Sequence, residues 1–234
     1  MNISGLQKMT LLDFPGKVAC TVFLAGCNYR CPFCHNAELL DGSAQPLMSR
    51  EEFLSFLSKR RGLLDGVCIS GGEPTLHAGL KELMQDIKAM GYAIKLDTNG
   101  SRPVLLKELV NEGLVDYVAM DIKNCPERYA ETAGLKQVDL ASIEESIRYL
   151  LSGAVDSEFR ITVVRELHTP QDMVSMGRWL TKLSGGKPIK KLYLQPFADR
   201  DTVAFSGLHA PVSGELEQFQ QLLRDFVLEI NVRG

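Results

Sequence analysis

The 234-residue sequence has no run approaching the ~20 apolar residues of a membrane-spanning helix. Its opening, MNISGLQKMTLLDFPGK, lacks the uninterrupted apolar stretch and small-residue cleavage site of a secretory leader. Charge of one sign is also scarce. With 26 Lys and Arg against 29 Asp and Glu, the net charge is −3, so no overall field argues for a nucleic-acid or membrane partner. Internal repeats, low-complexity tracts and Pro/Gly/Ser linkers are missing, and short charge runs at 59–61 and 187–191 read as solvated faces. One domain over 1–234 is expected, with its core at about 16–197. Aromatics make up only 7%, and the single Trp179 lies in an amphipathic stretch that should face the core. What remains is an ordinary globule, 45% hydrophobic and 24% charged. A chain of this length buries roughly 70–75% of its unfolded surface, without needing a disulfide or structural metal. Membrane and secreted classes are disfavoured, and a cytoplasmic location is expected.

Cysteine is sparse and unevenly spread. Of six, Cys27, Cys31 and Cys34 fall in one short loop, while Cys20, Cys68 and Cys125 are scattered. Disulfide frameworks suit small secreted domains; a tight group in a cytosolic-looking chain reads as a metal or redox site. Cys20 in VACTVFL and Cys68 in GVCIS read as small buried hydrophobes, and Cys125 in DIKNCPE as unligated.

Strand-like runs at 18–24, 66–70, 93–98, 115–122, 158–164 and 190–195 alternate with helical periodicity. The helical stretches are 50–59, 79–90, 104–111, 142–151, 171–183 and a terminal 214–229. Ser49 with Glu52 three residues on, and Thr169-Pro170 before Gln171, read as helix starts. The alternation predicts a parallel α/β sheet. Six strand–helix pairs suit either an incomplete (β/α) barrel or a doubly wound sheet, and periodicity does not choose.

In parallel α/β folds, ligand sites gather where strands end. Here those ends read AGCNYRCPFC, SGGEP, DTNG, MDIKN, FRITVV and LQPF. Cysteines, a diglycine with a carboxylate, two aspartates, a lysine, an arginine and Gln195 are thereby expected on one rim. Such an inventory exceeds what folding requires.

The C-x3-C-x2-C spacing of Cys27, Cys31 and Cys34 offers three thiolates to a soft metal centre. Zinc in a closed site wants four ligands, and His35, directly beside Cys34, is poorly placed to close a tetrahedron. Three ligands without an obvious fourth suggest a [4Fe–4S] cluster with one open iron. Zinc and unligated thiols remain alternatives on spacing alone.

CNYRCPFC, with Phe33 immediately before the third cysteine, resembles the signature of the radical S-adenosylmethionine superfamily. SGGEP at residues 70–74 is similar to that family's second hallmark, and the resemblance runs from about 16 to 197. It implies a partial (β/α)6 barrel, one [4Fe–4S] cluster on Cys27, Cys31 and Cys34, and S-adenosylmethionine bound at the open iron. It also implies reductive cleavage of that cofactor and hydrogen abstraction by a 5′-deoxyadenosyl radical. Gly71, Gly72 and Glu73 would then lie beside the methionyl ammonium. No cysteine lies between Cys34 and Cys68, and a charged helical stretch at 50–64 fills much of that interval, which excludes a second cluster module there.

Cys34-His35-Asn36, the DTNG of Asp97 and the Asp121-Ile122-Lys123 triplet resemble a narrower group, the activators of glycyl-radical enzymes. The resemblance implies Asp97 for the cofactor's ammonium and Lys123 for its carboxylate, with Arg160 assisting. Asp121 would order Lys123 or bind a cation. Arg160 in an apolar strand is costly to bury unless paired, which supports a site role. Pyruvate formate-lyase activators carry a histidine after the sixth strand, where this chain has Ala198. LDFPG and LQPF instead resemble the longer activators of anaerobic ribonucleoside-triphosphate reductase. The implied partners are that reductase, or another glycyl-radical enzyme, and a low-potential donor such as flavodoxin or ferredoxin. A radical enzyme acting on a small molecule, such as a deazapurine-forming synthase, is the competing enzyme reading; a zinc-binding module is the non-enzymatic one.

Overall fold

A computed structural model describes residues 2–40, 45–203 and 205–233. Two compact units divide the chain. The first comprises Met1–Asn28, Glu38–Thr98 and Arg102–Ala119; the second comprises Tyr29–Ala37, Asn99–Ser101 and Met120–Gly234.

The first unit opens with β1 (Asn2–Ile3), β2 (Gly5–Thr10) and β3 (Ala19–Leu24), followed by β4 (Met48–Ser49), α1 (Arg50–Ser58) and β5 (Gly66–Gly71). It continues through α2 (Leu80–Ala89), β6 (Ala93–Thr98), α3 (Pro103–Asn111) and the first residues of β7 (Tyr117–Asp121). Its main sheet is ordered β2-β3-β5-β6-β7. β3, β5 and β6 are parallel, and β2 is antiparallel to β3. Residues 19–22 and 66–69 are buried without alternation, as strands covered on both faces should be. The expected strand at 93–98 is β6, end to end.

Helix starts follow the local chemistry. Ser49 accepts from the Glu52 N–H while Glu52 accepts from the Ser49 N–H at 2.8 Å, a complete capping box. α1 stops at Ser58, so the helical stretch is shorter than 50–64. In α2, Leu80, Leu83, Met84 and Ile87 share one face and are buried, the i, i+3, i+4, i+7 pattern of a core-facing helix.

LDFPG has a packing role. Phe14 is buried in a cluster with Ala19, Cys68 and Tyr117. A β-carbon on Gly66 would sit 2.9 Å from the Phe14 ring, so the ring seals the start of β5 only because residue 66 is glycine.

The second unit holds the end of β7, then α4 (Tyr129–Thr132), α5 (Leu140–Leu151), β8 (Asp156–Val163) and α6 (Pro170–Leu183). β9 (Ile189–Pro196), α7 (Glu215–Leu223) and β10 (Val227–Val232) follow. Its strands are ordered β7-β8-β9-β10, with β8, β9 and β10 parallel. Thr169 and Asp172 form the second complete capping box, at α6. Trp179 is buried, as expected, and its indole N–H donates to Glu144 at 2.9 Å.

The expected helix at 214–229 is corrected. It ends at Leu223, and Val227–Val232 pairs with β9 instead. Residues 228–232, LEINV, alternate apolar and polar, and Arg233 fastens the strand end: the guanidinium lies 3.8 Å over the Tyr193 ring and binds the fully buried Glu158 carboxylate at 2.8 Å. β2 is a further strand beyond the expected six. The architecture is the expected α/β one; among the described residues, β2 and β10 each pair with one strand. Among the described residues, no helix is long and apolar enough to cross a membrane.

Candidate functional site

In the first unit, the turn after β5 is pressed against the base of the cysteine loop. Gly72 N–H donates to Leu24 O and Glu73 N–H to Gly26 O, each at 2.8 Å. Cys27 N–H is held by Leu40 O at 3.0 Å. Gly71 has φ +122°, and a β-carbon there would meet Leu24 O at 2.3 Å. At Gly72 it would meet Gly26 O at 2.1 Å. The diglycine therefore permits backbone to approach backbone. Glu73 is buried, and one carboxylate oxygen accepts from the Thr75 N–H at 3.1 Å and the Thr98 hydroxyl at 2.8 Å. It thus ties the turn after β5 to the end of β6.

Asp97 is engaged rather than open. Its Oδ1 lies 2.5 Å from the ammonium of Lys95, itself 1% exposed, and its Oδ2 accepts from the Ser70 hydroxyl at 3.1 Å. Lys95 is in register with Cys68, which places Ser70 and Asp97 on one face two residues further along.

In the second unit, Cys31 and Cys34 lie on a loop fastened by Arg30, whose N–H donates to Ala133 O at 2.9 Å. Gly134, at φ +68°, could carry no β-carbon, which would lie 1.9 Å from Arg30 O. Phe33 is buried with Val164, Leu167 and Phe197, and Cys31 packs against that group. His35 stacks on Phe197 with centroids 5.5 Å apart, and its Nε2 lies 2.7 Å from Ala198 O. Its ring thus engages the stretch that holds alanine where pyruvate formate-lyase activators have histidine.

Asp121, Lys123 and Arg160 do come together. Asp121 sits 2.9 Å from the Arg160 guanidinium and 3.2 Å from the Lys123 ammonium, which lies 6.0 Å from the Phe33 ring centre. Burial would raise the Asp121 carboxyl, but Arg160 and then Lys123 more than offset it and hold it at about 2. Arg160 is therefore paired, as its cost of burial requires. Ile122 is buried, and its N–H donates to Arg160 O at 2.8 Å, locking the end of β7 to the middle of β8. Gln195 is half-buried near the end of β9, in register with Thr162.

No disulfide links any of the six cysteines. Cys20 and Cys68 are buried and pushed up to about 12 by burial, and Cys125 to about 11. Cys27, Cys31 and Cys34 are partly exposed. Burial also raises Cys34, against the opposing pull of the Asn36 backbone and Lys123. Among the described residues, no three His, Cys, Asp or Glu side chains are gathered as a metal-binding group. The donor set still fits a thiolate-ligated centre, because the three partly exposed cysteines are those in one loop.

Sequence reasoning missed Lys95, Gly134 and His168. Lys95 had a readable signal, a charge alternating with Asp97 in an otherwise apolar strand; the other two act through contacts distant in sequence.

Residues 21–179 match the Radical SAM superfamily. A Methanocaldococcus jannaschii protein, provisionally named a glycyl-radical enzyme activating enzyme, is 28% identical over 99% of this chain and 95% of its own length. The 7-carboxy-7-deazaguanine synthase of Thermococcus kodakarensis is 27% identical over 77% of this chain and 75% of its own. Among solved structures, Streptococcus suis SuiB superposes with TM-score 0.69 at 12% identity, over 92% of this chain; the chain spans 48% of that protein. That likeness concerns the fold. The match over most of the chain, on the same residues that carry both motifs, places this protein in the radical S-adenosylmethionine superfamily.

Proposed function

We propose that this enzyme generates a glycyl radical on a partner protein, and that its partner is anaerobic ribonucleoside-triphosphate reductase. The observation that carries the activase reading is likeness to a provisionally named activating enzyme along nearly the whole of both chains. LDFPG and LQPF support the choice of reductase.

The superfamily uses a [4Fe–4S] cluster and S-adenosylmethionine. In this reading Cys27, Cys31 and Cys34 hold one such cluster. When bound, it supplies the electron that cleaves S-adenosylmethionine reductively. A flavodoxin or ferredoxin would feed it.

The chain's own residues bind and orient. Lys123 offers an ammonium to a carboxylate, and Asp121, kept ionised by Arg160, sets its direction. Asp97, paired with Lys95, is assigned to the cofactor's ammonium. Gly71 and Gly72 present backbone without side chains. The buried Phe33, Val164, Leu167 and Phe197 form a dry apolar backing that strengthens the nearby charge pairs.

A small-molecule reading is favoured by one observation, the comparable identity to a deazaguanine synthase. The two readings separate in one experiment. The anaerobically reconstituted protein is incubated with reductant, S-adenosylmethionine and purified anaerobic reductase, and electron paramagnetic resonance is recorded. A protein-based radical whose hyperfine splitting collapses when the partner's glycine is deuterated at Cα is the expected result. No such radical with any glycyl-radical enzyme, alongside stoichiometric cofactor cleavage driven by a purine precursor, would replace the activase reading.

A further inference from the structure

We propose that His168 is a positioning residue for Lys123: a neutral imidazole strut between the turn after β8 and the backbone carbonyl of residue 123. This rests on the reading of Lys123 as a cofactor contact.

His168 is 3% exposed and lies 45 residues from Lys123 in sequence. Its Nδ1 is 3.1 Å from Val164 N, and its Nε2 is 2.9 Å from Lys123 O. The geometry decides the tautomer. A backbone N–H can only donate, so Nδ1 accepts from Val164, and the proton resides on Nε2. Nε2 then donates to the Lys123 carbonyl, which can only accept. The approach of Nδ1 to Val164 O, at 3.2 Å, is proximity without a proton to share. Burial favours the same neutral form and holds the ring below its ordinary range.

Asn124, fully buried, makes the companion tie. Its amide donates to Leu167 O at 2.8 Å and to the Thr132 hydroxyl at 3.0 Å, and its Oδ1 accepts from the Cys125 N–H at 2.7 Å. The loop after β7 is thus held at two successive residues by the turn that follows β8. Asp121 sets the direction of the Lys123 ammonium; His168 sets the peptide plane from which that side chain springs. A free carbonyl at residue 123 would let the plane rotate and carry the ammonium off its line.

The test uses the reconstituted protein and measures iron per chain and the Kd for S-adenosylmethionine. The amide nitrogen of glutamine reaches the Nε2 position, whereas that of asparagine reaches only Nδ1. His168→Gln should therefore bind within about threefold of wild type, and His168→Asn and His168→Leu about tenfold more weakly, as loss of one buried hydrogen bond allows. Iron content should be unchanged in all three. A purely structural role would weaken Gln and Asn alike, and that result overturns the proposal. So does wild-type affinity in His168→Leu, or iron falling in step with affinity. Should His168→Leu fail to fold, the contrast between Gln and Asn decides. Lys123→Ala is measured alongside. Unchanged affinity there overturns the cofactor reading and this proposal together, whereas weakened binding there with Gln and Asn equal overturns this proposal alone.

Discussion

The Arg160 guanidinium, from the middle of β8, and the Asp121 carboxylate, at the end of β7, meet at 2.9 Å, each partly shielded from water. A single carboxylate serves two cations, since Lys123 approaches its other oxygen at 3.2 Å. This shared pairing ties the stability of the corner to acid.

Because Arg160 and Lys123 depress the Asp121 carboxyl to about 2, the charged trio stabilises the folded chain above the ordinary carboxylate range. That contribution is lost as pH falls from about 4 through about 2. With about a third of the side chain exposed, screening limits it to about 1 kcal/mol. Urea unfolding of the metal-free chain should show a gap between wild type and Asp121→Asn at pH 6 that closes towards pH 2. A gap that does not change with pH would contradict this account.

The three loop cysteines should account for all bound iron. Replacing Cys27, Cys31 and Cys34 together by Ala should abolish iron uptake on anaerobic reconstitution, whereas Cys20→Ala, Cys68→Ala and Cys125→Ala should each retain it. The basis is the partial exposure of the first three and the burial of the others. About eight irons per chain would disprove a single cluster.

Gly72→Ala should be severe, because its β-carbon would lie 2.1 Å from Gly26 O and only a backbone shift can relieve it. Overpacking against rigid backbone costs about 1–3 kcal/mol or more, which lowers the melting temperature of a chain this size by several degrees. The shift falls at the base of Cys27, so iron uptake should drop as well. Normal iron content in a variant with lowered melting temperature would show that the turn supports the fold alone.

Lys95→Met should destabilise by about 3–5 kcal/mol, since it takes from the Asp97 carboxylate an ammonium whose side chain is 1% exposed. Pairing it with Asp97→Leu should recover much of that loss. Denaturant midpoints of the two single variants and the double variant measure the coupling; additive losses would mean that the pair contributes nothing as a pair.

Much of the fold was legible because its inner strands are covered on both faces and so read as apolar runs, of which ACTVFL in β3 is the cleanest case. Besides the short β1 and β4, the strands missed are the edges of the main sheet. In β2 the half-exposed GLQKMT offers little hydrophobic signal, and in β10 the residues VLE prolong the periodicity of the preceding helix. The cysteine loop was legible through spacing, and the pairing demand of Arg160 foretold a carboxylate. The fastenings of the site were not: Gly134 against Arg30, and His168 against Lys123, are set by chain paths that no local pattern encodes.

The diglycine after β5 specifies its conformation by atoms it lacks. Leu24 and Gly26 fill the volume that any side chain at 71 or 72 would need, so those positions admit no graded substitution. Anyone retuning this protein by directed variation should leave both untouched. The neighbouring Ser70 is the better target: it touches the Asp97 carboxylate at 3.1 Å and has a side chain to exchange without moving the main chain.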